Sequence, residues 1–166
     1  MAIHQAVMSC MKGGGCKLPM YALDTNLLVY AHNIDSPLHV PARQFLEMEF
    51  NRQDEAGNAV VCIPSQTLLE FLNTITWSRL ESPLAMPDAV AVVQYYVDSG
   101  IPIIYPKSSQ LRTVLALLES ASSRKNIFDA VLAATLKDNN ITGLYTVNIK
   151  DFKYFDFIDV VNPLEG

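Results

Sequence analysis

From Met20 onward, short apolar runs alternate with longer stretches of helical character, and this alternation restricts the fold more than any other feature of the chain. "MYALD", "AVVCIP", "IPIIY", "GLYTV" and "FIDVV" read as strands. Between them, "TNLLVYAH", "SPLHVPARQFLEMEFNRQ", "SQTLLEFLNTITW", "DAVAVVQYYVDSG", "SSQLRTVLALLESASS" and "NIFDAVLAATLKDNN" read as helices. Pro37 marks a start, Gly100 a C-cap, Ser108 or Ser109 an N-cap and Asn139-Asn140 an end. Val40, Phe45, Leu46 and Met48 supply the apolar positions of the second helix, and Leu111, Leu115 and Leu118 form one stripe. Repeated strand-then-helix order predicts an α/β fold of three layers, a mainly parallel sheet with helices on both faces.

At 166 residues, half of them apolar, the chain is expected to be one domain with one sizeable core. Residues 1–19 stand apart, with a Gly13-Gly14-Gly15 run and no amphipathic period, so they read as an appendage, flexible or arising from a mis-assigned start, with Met20 as the alternative start. The glycine run lacks P-loop spacing and follows no strand, which argues against phosphate cradling. Twelve basic against 17 acidic residues, a net charge of −5, exclude holding duplex nucleic acid by global attraction but leave nucleic acid open as a substrate. Cys10, Cys16 and Cys62 make an odd count without C-x-x-C spacing, and His4, His32 and His39 lack H-x-x-x-H spacing, so neither a disulfide framework nor a zinc site is expected. No apolar run reaches the roughly 18 residues of a membrane span, and with no signal peptide evident a reducing cytoplasm is the expected location.

Four acids, Asp24, Glu70, Asp129 and Asp151, fall just after predicted strands, in or beside the first turns of the next helix. In an open parallel sheet those positions share one edge, where ligands bind. Each acid also has a plainer reading. Asp24 can simply cap its helix, although the Asp24-Thr25-Asn26 triplet puts a carboxylate, a hydroxyl and an amide together. Thr67-Leu68-Leu69-Glu70 matches a capping box, while Gln66, Thr67, Asn73 and Thr74 form a polar stripe around Glu70 that either is solvated or lines a cleft. Asn126 can cap the helix that carries Asp129, yet that acid borders the core-like stripe Leu132, Ala133 and Leu136, where a lone carboxylate is costly unless paired or metal-bound. Asn148 or Asp151 can cap a short helix. Acids gathered on one edge would repel unless a cation neutralised them, and oxygen ligands without His or Cys favour Mg²⁺ or Mn²⁺ over Zn²⁺.

These residues resemble the PIN-domain nucleases and, within them, the VapC-type toxins of prokaryotic toxin–antitoxin pairs. The resemblance spans residues 20–164 and rests on "LDTNLLVYAHNIDSPLH", "PSQTLLEF", "IFDAVLAAT" and "TVNIKDF". It implies a five-stranded sheet and a Mg²⁺- or Mn²⁺-dependent endoribonuclease with one or two ions held by Asp24, Glu70, Asp129 and Asp151. Thr25, Asn26, Thr146 and Asn148 would support them, with Asn148 standing where many members carry another Asp. It further implies an RNA substrate, a small antitoxin partner and a homodimer, for which "DAVAVVQYYVDSG" offers a surface that core packing explains equally well. Arg79, Arg124, Lys125, Lys150 and Lys153 lie near the acid-bearing segments as candidates for RNA phosphates, with solvated surface as the plainer reading.

Other classes fit these residues less well. A phosphatase of the haloacid-dehalogenase type needs D-x-D after the first strand, and Asn26 replaces its second acid. A binding module that keeps the fold without catalysis would be expected to lose two or more acids, and all four are present.

Overall fold

The computed structural model describes residues 19–119 and 127–165, which form five strands and seven helices. In chain order these are β1 (Tyr21–Leu23), α1 (Thr25–His32), α2 (His39–Phe50), β2 (Val61–Pro64), α3 (Ser65–Ile75), α4 (Met86–Asp98), β3 (Ile103–Ile104), α5 (Gln110–Glu119), α6 (Ile127–Asp138), β4 (Gly143–Tyr145), α7 (Ile149–Phe152) and β5 (Asp159–Val161). The strands lie in the order β3-β2-β1-β4-β5, and every pairing is parallel rather than mainly so. Register is set by pairs such as Ala22 with Cys62 and Leu144, and Leu23 with Tyr145.

The two-residue period of the strands divides the core in two. Leu23, Val61 and Ile63 point to one face and pack with Leu27, Leu28, Phe45, Phe71, Ala89 and Tyr96 from α1 to α4. Ala22, Cys62 and Leu144 point to the other and pack with Ala130, Leu132, Ala133, Leu136 and Phe152 from α6 and α7. Three layers result. The crossovers that run outward through β2 to β3 cover one face, and those returning through β4 to β5 cover the other, so the order reverses between β1 and its neighbours.

Local stripes were less reliable than the alternation. In α2 the buried line is Ala42, Phe45, Leu46 and Glu49, whereas Val40 and Met48 are exposed. Glu49 is tolerated inside because Arg52 Nη1 reaches its carboxylate at 2.9 Å. In α5 it is Val114 that is buried, with Leu117 and Leu118 half-buried, while Leu111 and Leu115 face outward. This helix seats on α6 partly through polar contacts, Gln110 Nε2 to Thr135 Oγ1 at 2.7 Å and Thr113 Oγ1 to Asp138 Oδ1 at 2.8 Å, which rotates the leucines away. Gly100, just past α4, takes φ +83° and ends that helix as expected. Residues 1–18, with His4, Cys10, Cys16 and the glycine run, lie outside the described residues. Among those described, no helix is long and apolar enough to cross a membrane.

Gly143 opens β4 beneath the Tyr21 ring, where an added Cβ would stand 2.5 to 2.7 Å from three ring carbons. That ring cannot step aside: it stacks on Tyr145 with centroids 4.5 Å apart, and its hydroxyl bonds to Asp159. Gly143→Ala is therefore expected to lower stability by about 2 kcal/mol, read from the midpoint of urea unfolding. A midpoint equal to that of the wild-type chain would mean that the stack yields freely.

Candidate active site

Asp24 sits at the point where the strand order turns. Its N–H donates to Tyr145 O at 3.0 Å, extending the β1–β4 ladder by one residue, and its own backbone then becomes the N-cap of α1. One carboxylate oxygen accepts the Thr25 N–H at 2.7 Å, and the other accepts the Thr146 hydroxyl and the Asn26 amide, each at 2.6 Å. Asn26 Nδ2 also reaches Thr146 Oγ1 at 2.9 Å, while its Oδ1 accepts the Val147 N–H at 3.2 Å. Thr146 Oγ1 in turn accepts the Asn148 N–H at 3.0 Å. Capping and site formation are thus the same act for Asp24. The carboxylate is buried, and burial raises its proton affinity; donation from Thr146, Thr25 and Asn26 opposes the rise, and the charge of Glu70 adds to it.

Glu70 does not close a capping box. The N-cap of α3 is Pro64, which places Glu70 more than one turn into the helix, and Thr67 is buried with its hydroxyl donating to Leu23 O at 3.1 Å. Glu70 is turned toward α1 instead, where Thr25 Oγ1 donates to its Oε2 at 2.9 Å, and Gln66 Nε2 donates to its Oε1 at 2.7 Å. Asp129 lies in the first turn of α6, which among the described elements follows the helix α5 and not a strand, so this acid reaches the edge by helix packing and not from a strand end as the spacing predicts; its cap candidate Asn126 lies outside the described residues. Asp151 stands in the short helix α7, whose N-cap Asn148 makes no side-chain capping bond.

Asp24, Glu70 and Asp129 line one cleft of about 340 Å³, together with Thr25, Asn26 and Asn148. Val29, Tyr30, Thr74 and Phe152 complete its walls. Three of these were legible as helical neighbours: Val29 and Tyr30 follow Thr25 and Asn26 by four residues, and Thr74 follows Glu70 by four. A second cleft, of about 430 Å³ between Tyr21, Gly143 and Asp159, lies at the opposite ends of the strands and contains none of the four acids. Burial and then the charges of Asp151, Asp24 and Glu70 push the Asp129 carboxyl up to about 6, so the fourth acid is felt in the cleft although it does not line it.

The ion pairs among the described residues, Arg43 with Glu47 and Arg52 with Glu49, lie away from Asp24, Glu70 and Asp129. Asp24, Glu70 and Asp129 thus have no basic partner among the described residues, and a set of oxygen donors of this kind fits a hard divalent cation. No three acids among the described residues stand close enough to enclose an ion by themselves, so water would complete its shell, as suits Mg²⁺. Of the cationic candidates, Arg79 stacks over Trp77, 5.3 Å from the ring centroid, and does not line the cleft. Lys150 and Lys153 are exposed on and just after α7, and Arg124 and Lys125 lie outside the described residues.

The model of the PIN domain family matches residues 21–158, and the chain belongs to that family. It is 31% identical over 146 residues to a protein of Mycobacterium tuberculosis named ribonuclease VapC24, covering 87% of this chain and 97% of that one. Among solved structures it is similar to VapBC2 from Rickettsia felis, bound to a DNA fragment from their promoter, with TM-score 0.59 and 22% identity over 86% of this chain and 98% of that one. It is likewise similar to M. tuberculosis VapC20, described as a sarcin-ricin loop cleaving toxin, with TM-score 0.58 and 15% identity over 82% and 92%. These two likenesses show the fold alone.

The electrostatics of Asp129 are testable without substrate. Its folded pKa of about 6 exceeds the ordinary 3.8, so the native state binds this proton more tightly than the unfolded chain does. Stability is accordingly lost as pH rises from about 4 to about 6, and the full penalty stands above that window. Asp129→Asn should raise the melting temperature in EDTA at about pH 7.5, with the gain fading below about pH 4. A gain independent of pH would show that charge is not the cause.

Proposed function

We propose that this chain is a divalent-metal-dependent endoribonuclease and the toxin of a VapBC-type toxin–antitoxin pair. One observation carries the reading: Asp24, Glu70 and Asp129 converge on a single cleft at the turn of the sheet, and the charge of Asp151 reaches it. The relationship to a protein named ribonuclease VapC24 supports it. Asp24, Glu70, Asp129 and Asp151 would hold one or two Mg²⁺ or Mn²⁺ ions, directly or through water. When bound, such an ion activates water for in-line attack on the phosphodiester and neutralises charge on the phosphoryl oxygens.

The chain's own residues prepare that chemistry. Thr146, Asn26 and the Thr25 N–H keep the Asp24 carboxylate fixed and facing the cleft, so it need not reorganise during the reaction. Thr25 does the same for Glu70. Asp129, titrating near 6 in the absence of a cation, passes to the ionised, metal-holding form close to neutral pH. No covalent nucleophile is needed. Cys62 is buried and its thiol is pushed up to about 12, which makes it unfit for that role.

Lys150 and Lys153, exposed on and just after α7, would meet RNA phosphates, whereas Arg79 does not line the cleft. A small antitoxin would silence the cleft by inserting a segment into it. Met86, Val90 and Val97 stay exposed on α4 although Ala89 and Tyr96 are buried, which supports self-association through this helix. The cytoplasm is the fitting compartment for such a pair.

Purified chain is expected to cleave RNA with Mg²⁺ or Mn²⁺ and to lose the activity in EDTA. Asp24→Asn and Asp129→Asn should each lower the rate by roughly 100-fold or more. The product of a small open reading frame directly upstream should co-purify with the chain and suppress cleavage. Cleavage that survives EDTA, or both substitutions, would sink the metal mechanism. A folded wild-type chain that cleaves no RNA would leave the binding module.

A further inference from the structure

Gln66 stands in the first turn of α3, one turn before Glu70, and its amide joins the two helices that carry Glu70 and Asp129. Nε2 donates to Glu70 Oε1 at 2.7 Å and to the Phe128 carbonyl at 3.2 Å. That carbonyl belongs to the peptide unit leading into Asp129, so holding it orients the plane from which the acid departs. The other Glu70 oxygen accepts the Thr25 hydroxyl at 2.9 Å, which makes one continuous chain: Thr25, Glu70, Gln66, Phe128. Both partners of Nε2 can only accept, so the amide cannot turn over without aiming its oxygen at a carboxylate and a carbonyl.

This orientation leaves Gln66 Oε1 buried with no hydrogen-bond partner among the described residues. Such an orphan lowers stability, and an apolar side chain of similar length would avoid it. A residue kept for packing alone gains nothing from that arrangement. A residue kept for the two donors on Nε2 does.

Resting on the nuclease reading above, we infer that Gln66 is a positioning residue: its amide aims Glu70 at the Thr25 hydroxyl and fixes the first turn of α6, so that Glu70 and Asp129 face the same cleft. It acts through those acids and touches no reacting atom.

Gln66→Met removes both donors and the orphan acceptor at similar volume, and Gln66→Asn keeps an amide that is one methylene too short to span both partners. Each would be measured for melting temperature, for Mn²⁺ affinity by calorimetry without RNA, and for kcat and KM on RNA. Stability and function are expected to separate. For Gln66→Met the melting temperature should stay within about 3 °C of wild type or rise. Mn²⁺ affinity and kcat should each fall roughly tenfold or more while KM changes little. In a Glu70→Gln background the same substitution should add less than its full loss, because only the hold on the Phe128 carbonyl is left to remove.

Wild-type Mn²⁺ affinity and kcat per folded molecule would overturn the inference, as would losses that add in full to those of Glu70→Gln. Should the Met variant fail to fold, Gln66→Asn carries the same comparison. A wild-type chain that neither binds Mn²⁺ nor cleaves RNA would remove the nuclease reading and this role with it. An active wild-type chain with an unaffected Gln66→Met variant would remove the role alone.

Discussion

The cleft is organised around one buried carboxylate. Asp24 ends β1 at the reversal of strand order, and each of its oxygens is met by donors from α1 or from the residue after β4. Burial without those donors would force the group to neutralise, and a neutral acid is a poor ligand for a cation. The bonds therefore do two things at once: they keep charge available inside a sheet edge, and they tie β1 to β4. Asn26 and Thr146 bond each other as well as Asp24, so loosening any one of them loosens the place where two strand ends meet.

Around that anchor stand Glu70 and Asp129, and neither is in an ion pair with a basic side chain among the described residues. Asp129 bears the consequence, since burial and three neighbouring acids oppose its ionisation. On the proposed function, stability and activity would pull apart here, because the group that destabilises the ion-free fold near neutral pH is one a divalent cation would use. Gln66 repeats the pattern on a smaller scale, its oxygen buried without a partner among the described residues while its nitrogen serves two acceptors. Such local losses are tolerable because the two apolar layers on either face of the sheet are extensive.

Much of the architecture was legible. The start of α1 at Thr25, the alternation that yields three layers and the left-handed Gly100 all follow from neighbours within a few residues. Other local patterns mislead for the same reason. Val40, Met48, Leu111 and Leu115 satisfy a helical period yet face outward, because the helix each belongs to is rotated by partners remote in sequence, such as Thr135 and Asp138 for α5. The capping box at Thr67 and Glu70 was a valid local pattern that lost to Pro64 as the true cap and to the Leu23 carbonyl as the partner of Thr67.

By itself the sequence determined that Asp24 stands just beyond β1, Glu70 on the helix after β2 and Asp151 on the helix after β4, whereas it misplaced Asp129, whose helix α6 follows α5 and not a strand among the described elements. Spacing, strand period and helix starts are short-range properties, so they survive reading without a structure. Tertiary structure decided which of these acids share a cleft, how tightly Asp129 holds its proton and which neutral groups hold Asp24 and Glu70. Thr146 meets Asp24 across 122 residues only because β4 pairs with β1. That pairing follows from the packing of two apolar faces at once, and no local stretch of the chain encodes it.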